Sequence, residues 1–178
     1  MAGDKFIESN YEKALIALFQ ELGYTYECGY DVERDYRESF YREVLEASLK
    51  RLNEGVSADI LAEGLKMVTN LNEGTLIQDN RRFTEMLQNG FAVPYLENGE
   101  NRTATLRLVD FEQPLANDFR IVNQWSVEEL GKIRCDMVVM INGLPLVVVE
   151  LKTASDENVT IGDAYLQIRN YMKKCPSL

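Results

Sequence analysis

Residues 134–152, RCDMVVMINGLPLVVVELK, constrain the fold more tightly than any other stretch of this chain. Two runs of valine, methionine, isoleucine and leucine flank Asn142-Gly143, a dipeptide suited to tight β-turns, and the segment reads as a β-hairpin. The second run, LVVV, leads straight into Glu150, and one residue later comes Lys152. Burying a carboxylate and an ammonium at the end of an apolar strand costs several kcal/mol unless each finds a partner.

Side chains alternate along a strand, so Glu150 and Lys152 share a face. Asp136 lies about as far before the turn as Glu150 lies after it, so the hairpin brings the two acids together. Loop length decides whether they meet. A two-residue Asn142-Gly143 loop sets Asp136 opposite Val149 and puts the acids on opposite faces. A three-residue loop, Ile141-Asn142-Gly143 with Gly143 left-handed, sets Asp136 opposite Val148 and diagonal to Glu150. The three-residue loop is expected, or else a bulge that restores the parity.

Two carboxylates converging at the edge of an apolar sheet repel each other unless a cation lies between them. A divalent ion relieves that strain, lowers the pKa of bound water and steadies charge developing on a phosphoryl oxygen. An adjacent lysine orients the attacking water or stabilises the transition state as a point charge. Those roles describe metal-dependent phosphodiester hydrolysis. Glu-x-Lys alone is common in solvated strands, and the apolar approach, the hairpin and Asp136 are what give it weight.

Composition narrows the choice of metal. The chain contains no histidine, which excludes His-based triads and His-ligated zinc. Its three cysteines, Cys28, Cys135 and Cys175, are widely spaced and suit reduced thiols in the cytosol. Any metal must therefore be held by oxygen, which points to magnesium, manganese or calcium. A net charge of −10 argues against a free-standing nucleic-acid binder, so any attraction for DNA must come from other segments or subunits. No apolar run approaches a membrane span, and MAGDKFIESN does not resemble a signal peptide, so a cytoplasmic location is expected.

The 178 residues suit one domain. Residues 7–22 carry apolar positions at helical spacing, with Gly23 placed to stop the helix. From about 31 to 89 the pattern stays helical, with Ser57 a candidate N-cap. From 91 onward FAVPYLE, TATLRLVDF, FRIVNQWSV, IRCDMVVMI and LPLVVVEL read as strands, and 158–174 as a last helix. This order gives an α/β fold: one mixed central β-sheet flanked by helices, with a helical insertion at about 31–90.

VNQWSV…RCDMVVMINGLPLVVVELK, followed by DAYLQIRNYMKKCPSL, resembles the Asp…Glu-x-Lys nuclease superfamily. Within it the stretch is most similar to the N-terminal domain of the R subunit of type I restriction enzymes. The resemblance is specific over about 119–178 and extends to the opening helix. It implies a restriction-endonuclease-like core in which Asp136 and Glu150 bind Mg2+, the Leu151 carbonyl is a third ligand and Lys152 is the catalytic lysine. It also implies a Gln-x-x-x-Tyr motif, here Gln167 and Tyr171, contacting DNA or supporting the metal site. An opening-helix acid often joins such sites. Glu12, followed by Glu8, fits that place, although either is equally readable as a solvated helix-face acid. Arg134 and Lys132 are readable as phosphate contacts or as solubilising charges, and Trp125 as a core residue.

The resemblance further implies a single nuclease domain at the front of a longer chain, followed by an ATP-driven translocase, since no Walker A motif occurs here. The implied partners are double-stranded DNA and the modification and specificity subunits of the restriction complex. Two other readings compete: a stand-alone repair or Mrr-like nuclease of the same superfamily, and an inactive docking domain whose acids are merely solvated.

Overall fold

The structure is a computed structural model that describes residues 8–71, 74–152 and 160–178. In chain order its elements are α1 (Glu8–Glu21), β1 (Thr25–Cys28), α2 (Arg42–Leu52), α3 (Ala58–Thr69), α4 (Leu76–Asn89), β2 (Phe91–Glu97), β3 (Glu100–Leu106), β4 (Phe119–Glu128), β5 (Lys132–Ile141), β6 (Leu144–Val149) and α5 (Ile161–Lys174). They divide into two compact units, Met1–Tyr41 with Phe119–Leu178, and Arg42–Asp118.

The first unit is built on a mixed sheet in the order β1-β4-β5-β6, with β1 parallel to β4 and the other pairs antiparallel. One face, with Ile121, Met137 and Val139, is covered by Leu15, Ile16 and Phe19 of α1. The other packs Val122, Trp125, Val127, Ile133, Cys135, Val138 and Met140 against Tyr171 of α5 and Cys175. Each large apolar side chain so buried stabilises the fold by about 1.5–3 kcal/mol. Trp125 is a core residue, as expected. Its Nε1 donates to the Ser39 carbonyl at 3.0 Å, and the Arg34 guanidinium lies 3.4 Å from the centre of its ring. Burial there lowers the Arg34 pKa to about 10.

Two strands lose their alternation at the same rung. Val122 and Trp125 share a face although three residues apart, and so do Cys135 and Val138. The ladder pairs Asn123 with Met137 and Trp125 with Cys135, leaving Gln124 and Asp136 as the rung between. Gln124 is in the left-handed region (φ 53°), which costs a side-chain-bearing residue about 1–3 kcal/mol. Gly29 packs directly on this kink. A Cβ there would stand 2.7 Å from the Asn123 carbonyl oxygen and 2.8 Å from that of Gln124.

The second unit contains α2, α3, α4 and an antiparallel hairpin of β2 and β3. Ser57 caps α3, as its position predicts, and Thr75 caps α4. Two expectations need correction. FAVPYLE and the TATL of TATLRLVDF do not extend the central sheet but form this separate hairpin, turned at Asn98-Gly99. Residues 31–41 are turns rather than helix, because Arg34, Ser39 and Tyr41 are drawn onto Trp125 and the turn between β5 and β6.

Candidate active site

The turn between β5 and β6 is a two-residue loop. Ile141 pairs with Leu144, and Asn142 (φ 54°) and Gly143 (φ 81°) both take the positive φ that such a tight turn requires. The expected three-residue loop is therefore absent. Parity is restored by the alternative, a bulge: Met140 pairs with Pro145 but Val139 pairs with Val147, so Leu146 is the extra residue on β6. Edge position explains how β6 tolerates both the bulge and Pro145. Below the bulge, Val138 pairs with Val148 and Met137 with Val149. Carried one residue past the end of β6, this register sets Asp136 directly across from Glu150, not diagonal to it.

The chain beyond β6 is held at this rung by the acid itself: the Leu151 amide donates to Asp136 Oδ2 at 2.8 Å. Glu150 is almost fully enclosed, its side chain 1% exposed. Lys152 Nζ donates to Glu150 Oε1 at 2.7 Å and to Gln167 Oε1 at 2.7 Å. Gln167 Nε2 donates to the Tyr171 hydroxyl at 2.6 Å. That hydroxyl lies 3.0 Å from Glu150 Oε2 and 2.9 Å from the Arg134 carbonyl, and its single proton serves one acceptor at a time. Gln167 and Tyr171 thus face one way from α5, as their i, i+4 spacing predicts. That helix begins where the backbone amide and hydroxyl of Thr160 donate to Asp163 at 2.7 and 2.8 Å.

The electrostatics bear the mark of two acids confined together. Burial pushes the Glu150 carboxyl above its ordinary value, and Asp136 adds to the push against the hydrogen bonds from Lys152 and Tyr171. Burial likewise raises the Tyr171 phenol, with Glu150 contributing. Cys135 is driven up to about 12 by burial and by Glu150 and Asp136, so it stays a thiol.

Among the described residues no three acids, cysteines or histidines converge on one point. A hard cation at this rung would draw on the carboxylate oxygens of Asp136 and Glu150, with the Leu151 carbonyl as the expected third donor and water completing the shell. That donor set fits magnesium or manganese, and a carboxylate disfavoured by burial and a neighbouring acid is what a cation relieves. Glu12 stands apart from the two acids but close to their rung: Asn123 Nδ2 donates to its Oε1 and Gln124 Nε2 to its Oε2 at 3.5 Å. The Glu8 side chain lies outside the described residues.

Gln124 and its neighbours were not anticipated. The Tyr30 hydroxyl donates to Gln124 Oε1 at 3.5 Å, and Arg134 Nη1 donates to Tyr30 at 2.6 Å. The signal in the sequence was the polar pair Asn123-Gln124 inside the apolar run RIVNQWSV.

Residues 5–178 match the family model of the type I restriction enzyme R protein N terminus. A Methanocaldococcus jannaschii protein whose name places it among type I restriction enzyme endonuclease subunits (MjaIXP) is 34% identical over 94% of this chain and 17% of its own length. The type I restriction enzyme HindI endonuclease subunit of Haemophilus influenzae is 30% identical over 96% of this chain and 17% of its own. A Staphylococcus aureus type I endonuclease subunit (SauCOLORF180P) is 41% identical over 39% of the chain and 7% of its own. The chain spans about a sixth of the first two relatives. A match of this extent, over a mixed sheet flanked by helices with the acids and lysine on its hairpin, makes the chain a member of the type I restriction enzyme R protein N-terminus family.

Proposed function

We propose that this chain is the nuclease domain of a type I restriction R subunit, hydrolysing phosphodiester bonds of double-stranded DNA with magnesium. The observation that carries the reading is the bulge-set rung where Asp136 faces Glu150, with Lys152 hydrogen-bonded to Glu150 and Gln167. Asp136, Glu150 and the Leu151 carbonyl are the ligands. Magnesium bound there supplies charge neutralisation at the phosphate and a more acidic water.

The remaining chemistry belongs to the chain. Lys152 presents an ammonium, a compact point charge with three donors, to the attacking water or to the phosphoryl oxygen that gains charge. Gln167 fixes that ammonium from the α5 side, and Tyr171 holds the far oxygen of Glu150, so acid and lysine keep one geometry. The relatives are about six times longer than this chain, which supports placing ATP-driven translocation in the rest of the subunit and site recognition in the specificity subunit. An acidic surface is then tolerable, because DNA is delivered rather than captured. Among the described residues no helix is long and apolar enough to cross a membrane.

The test is cleavage of DNA by the complete enzyme with ATP and magnesium, wild type against Lys152→Ala. Loss of cleavage with the DNA-dependent ATPase intact supports the reading, and cleavage at the wild-type rate removes Lys152 from it.

A further inference from the structure

Strand β5 alternates from Lys132 to Cys135: Lys132 and Arg134 are exposed and Ile133 and Cys135 are buried, and the half-buried Asp136 follows. Lys132 and Arg134 therefore share one face, and Arg134 precedes Asp136 by two residues, about 7 Å along the strand. Lys132 is the weaker cation of the two, since Glu128 is its cross-strand partner. Arg134 stands nearer the acids.

Its surroundings are unusual for this protein. With 29 acids against 19 lysines and arginines, exposed cations find carboxylates readily. Arg37 pairs with Asp35, Arg42 with Glu46, Arg81 with Glu85 and Arg102 with Glu97 and Glu100. Arg134 instead hydrogen-bonds a neutral phenol, Tyr30. Its backbone carbonyl is within reach of the Tyr171 hydroxyl, and Tyr30 leads through Gln124 to Glu12. The residue is thus tied down at both backbone and guanidinium, while its charge meets no acid among the described residues. A planar fork held this way suits the oxygens of a phosphate.

We propose that Arg134, held by Tyr30, seats a DNA phosphate neighbouring the one that is cut. The proposal rests on the nuclease reading above and adds the substrate contact to it. Arg134 is a positioning residue: it holds the strand in register with the acids and takes no part in bond breaking. Each phosphate contact that releases a counterion steepens the fall of DNA affinity with salt by about one unit of log–log slope.

The experiment is cleavage by the complete enzyme carrying Arg134→Ala, Arg134→Lys or Tyr30→Phe, measured against DNA, salt and magnesium concentration. Expected for Arg134→Ala is about a tenfold rise in the DNA concentration for half-maximal cleavage and a salt slope shallower by about one. The magnesium concentration for half-maximal rate stays unchanged. Arg134→Lys recovers most of the affinity and the slope, and Tyr30→Phe shows a smaller loss. An Arg134→Ala enzyme with wild-type DNA dependence and salt slope overturns the seat while leaving the nuclease reading intact. A shifted magnesium dependence without a change in salt slope assigns Arg134 to support of the metal site and likewise overturns it. If Lys152→Ala cuts as well as wild type in the same assay, the site reading itself fails and the seat falls with it.

Discussion

The Lys152 ammonium is shared between two oxygens, Glu150 Oε1 and Gln167 Oε1, each at 2.7 Å. Glu150 is enclosed and Lys152 is one-quarter exposed. The pair is thus a carboxylate deep in the fold with its cation at the rim, an arrangement in which each residue has a separate consequence when removed.

Lys152→Ala leaves a buried carboxylate without its cation. We expect the metal-free protein to lose about 1–3 kcal/mol in urea unfolding, a loss that saturating magnesium restores in part. Cleavage by the complete enzyme falls by about 10²–10³-fold. Lys152→Arg does not rescue it, because a planar fork cannot replace a point charge at the same spot.

Glu150 makes stability depend on pH in a direction opposite to that of an ordinary paired acid. Its folded-state pKa is raised above the usual 4.5, so between those values the native state holds a proton that the unfolded chain has released. Stability contributed by this group is therefore complete below 4.5 and is lost as pH rises through the raised value. Without metal, wild type measured against Glu150→Gln should lose relative stability as pH rises above 4.5 and level off once the pH has passed the raised value. Denaturant titrations of both proteins across that range check it, and a difference that does not change with pH refutes it.

Tyr171→Phe removes the hydroxyl that serves Glu150 and the Arg134 carbonyl but leaves the ring in the core. A loss of about 1–3 kcal/mol is expected from the acceptor left without a donor and from Gln167 Nε2 left without its acceptor. Cleavage should fall about tenfold, since Lys152 and both acids remain in place. Gln167→Ala should act more mildly on stability and comparably on rate. Single-turnover cleavage separates these effects from substrate delivery.

The bulge at Leu146 gives the register its own test, because a ladder tolerates one change of length there and not the other. Deleting Leu146 lets Pro145 and Val147 follow one another opposite Met140 and Val139, so the strand becomes regular and Asp136 still faces Glu150. Inserting one alanine after Leu146, with the bulge kept, moves Val149 opposite Asp136 and turns Glu150 to the other face. Manganese binding should survive the deletion and disappear on the insertion, while circular dichroism still reports helices and sheet in both. Binding that survives the insertion would show that the register does not assemble the site.

Much of this was legible in the chain. Periodicity and capping chemistry located the helices, down to Ser57, because those signals are local. The Asn142-Gly143 dipeptide located the hairpin, and the parity argument demanded either a longer loop or a bulge. Sequence could not decide between them, since the choice depends on how β6 packs at the sheet edge. Strand β1 was missed: TYEC is too short to show a period, and it becomes a strand only through pairing with β4. Assigning FAVPYLE to the main sheet failed for the converse reason, strand propensity being silent about which sheet a strand joins, although Asn98-Gly99 marked a local turn. The left-handed Gln124 lies where Gly29, Tyr30 and Glu12 meet β4, tertiary contacts that no local pattern encodes.

The central claim is that Asp136 and Glu150, one rung of a bulged hairpin, hold a divalent cation. Calorimetric titration with manganese, on wild type and on Asp136→Ala and Glu150→Ala, tests it most directly. The account predicts saturable binding to the wild type that is lost in both variants, with proton release that grows as pH falls towards the raised pKa of Glu150. No binding to the wild type, or binding untouched by either substitution, would contradict it.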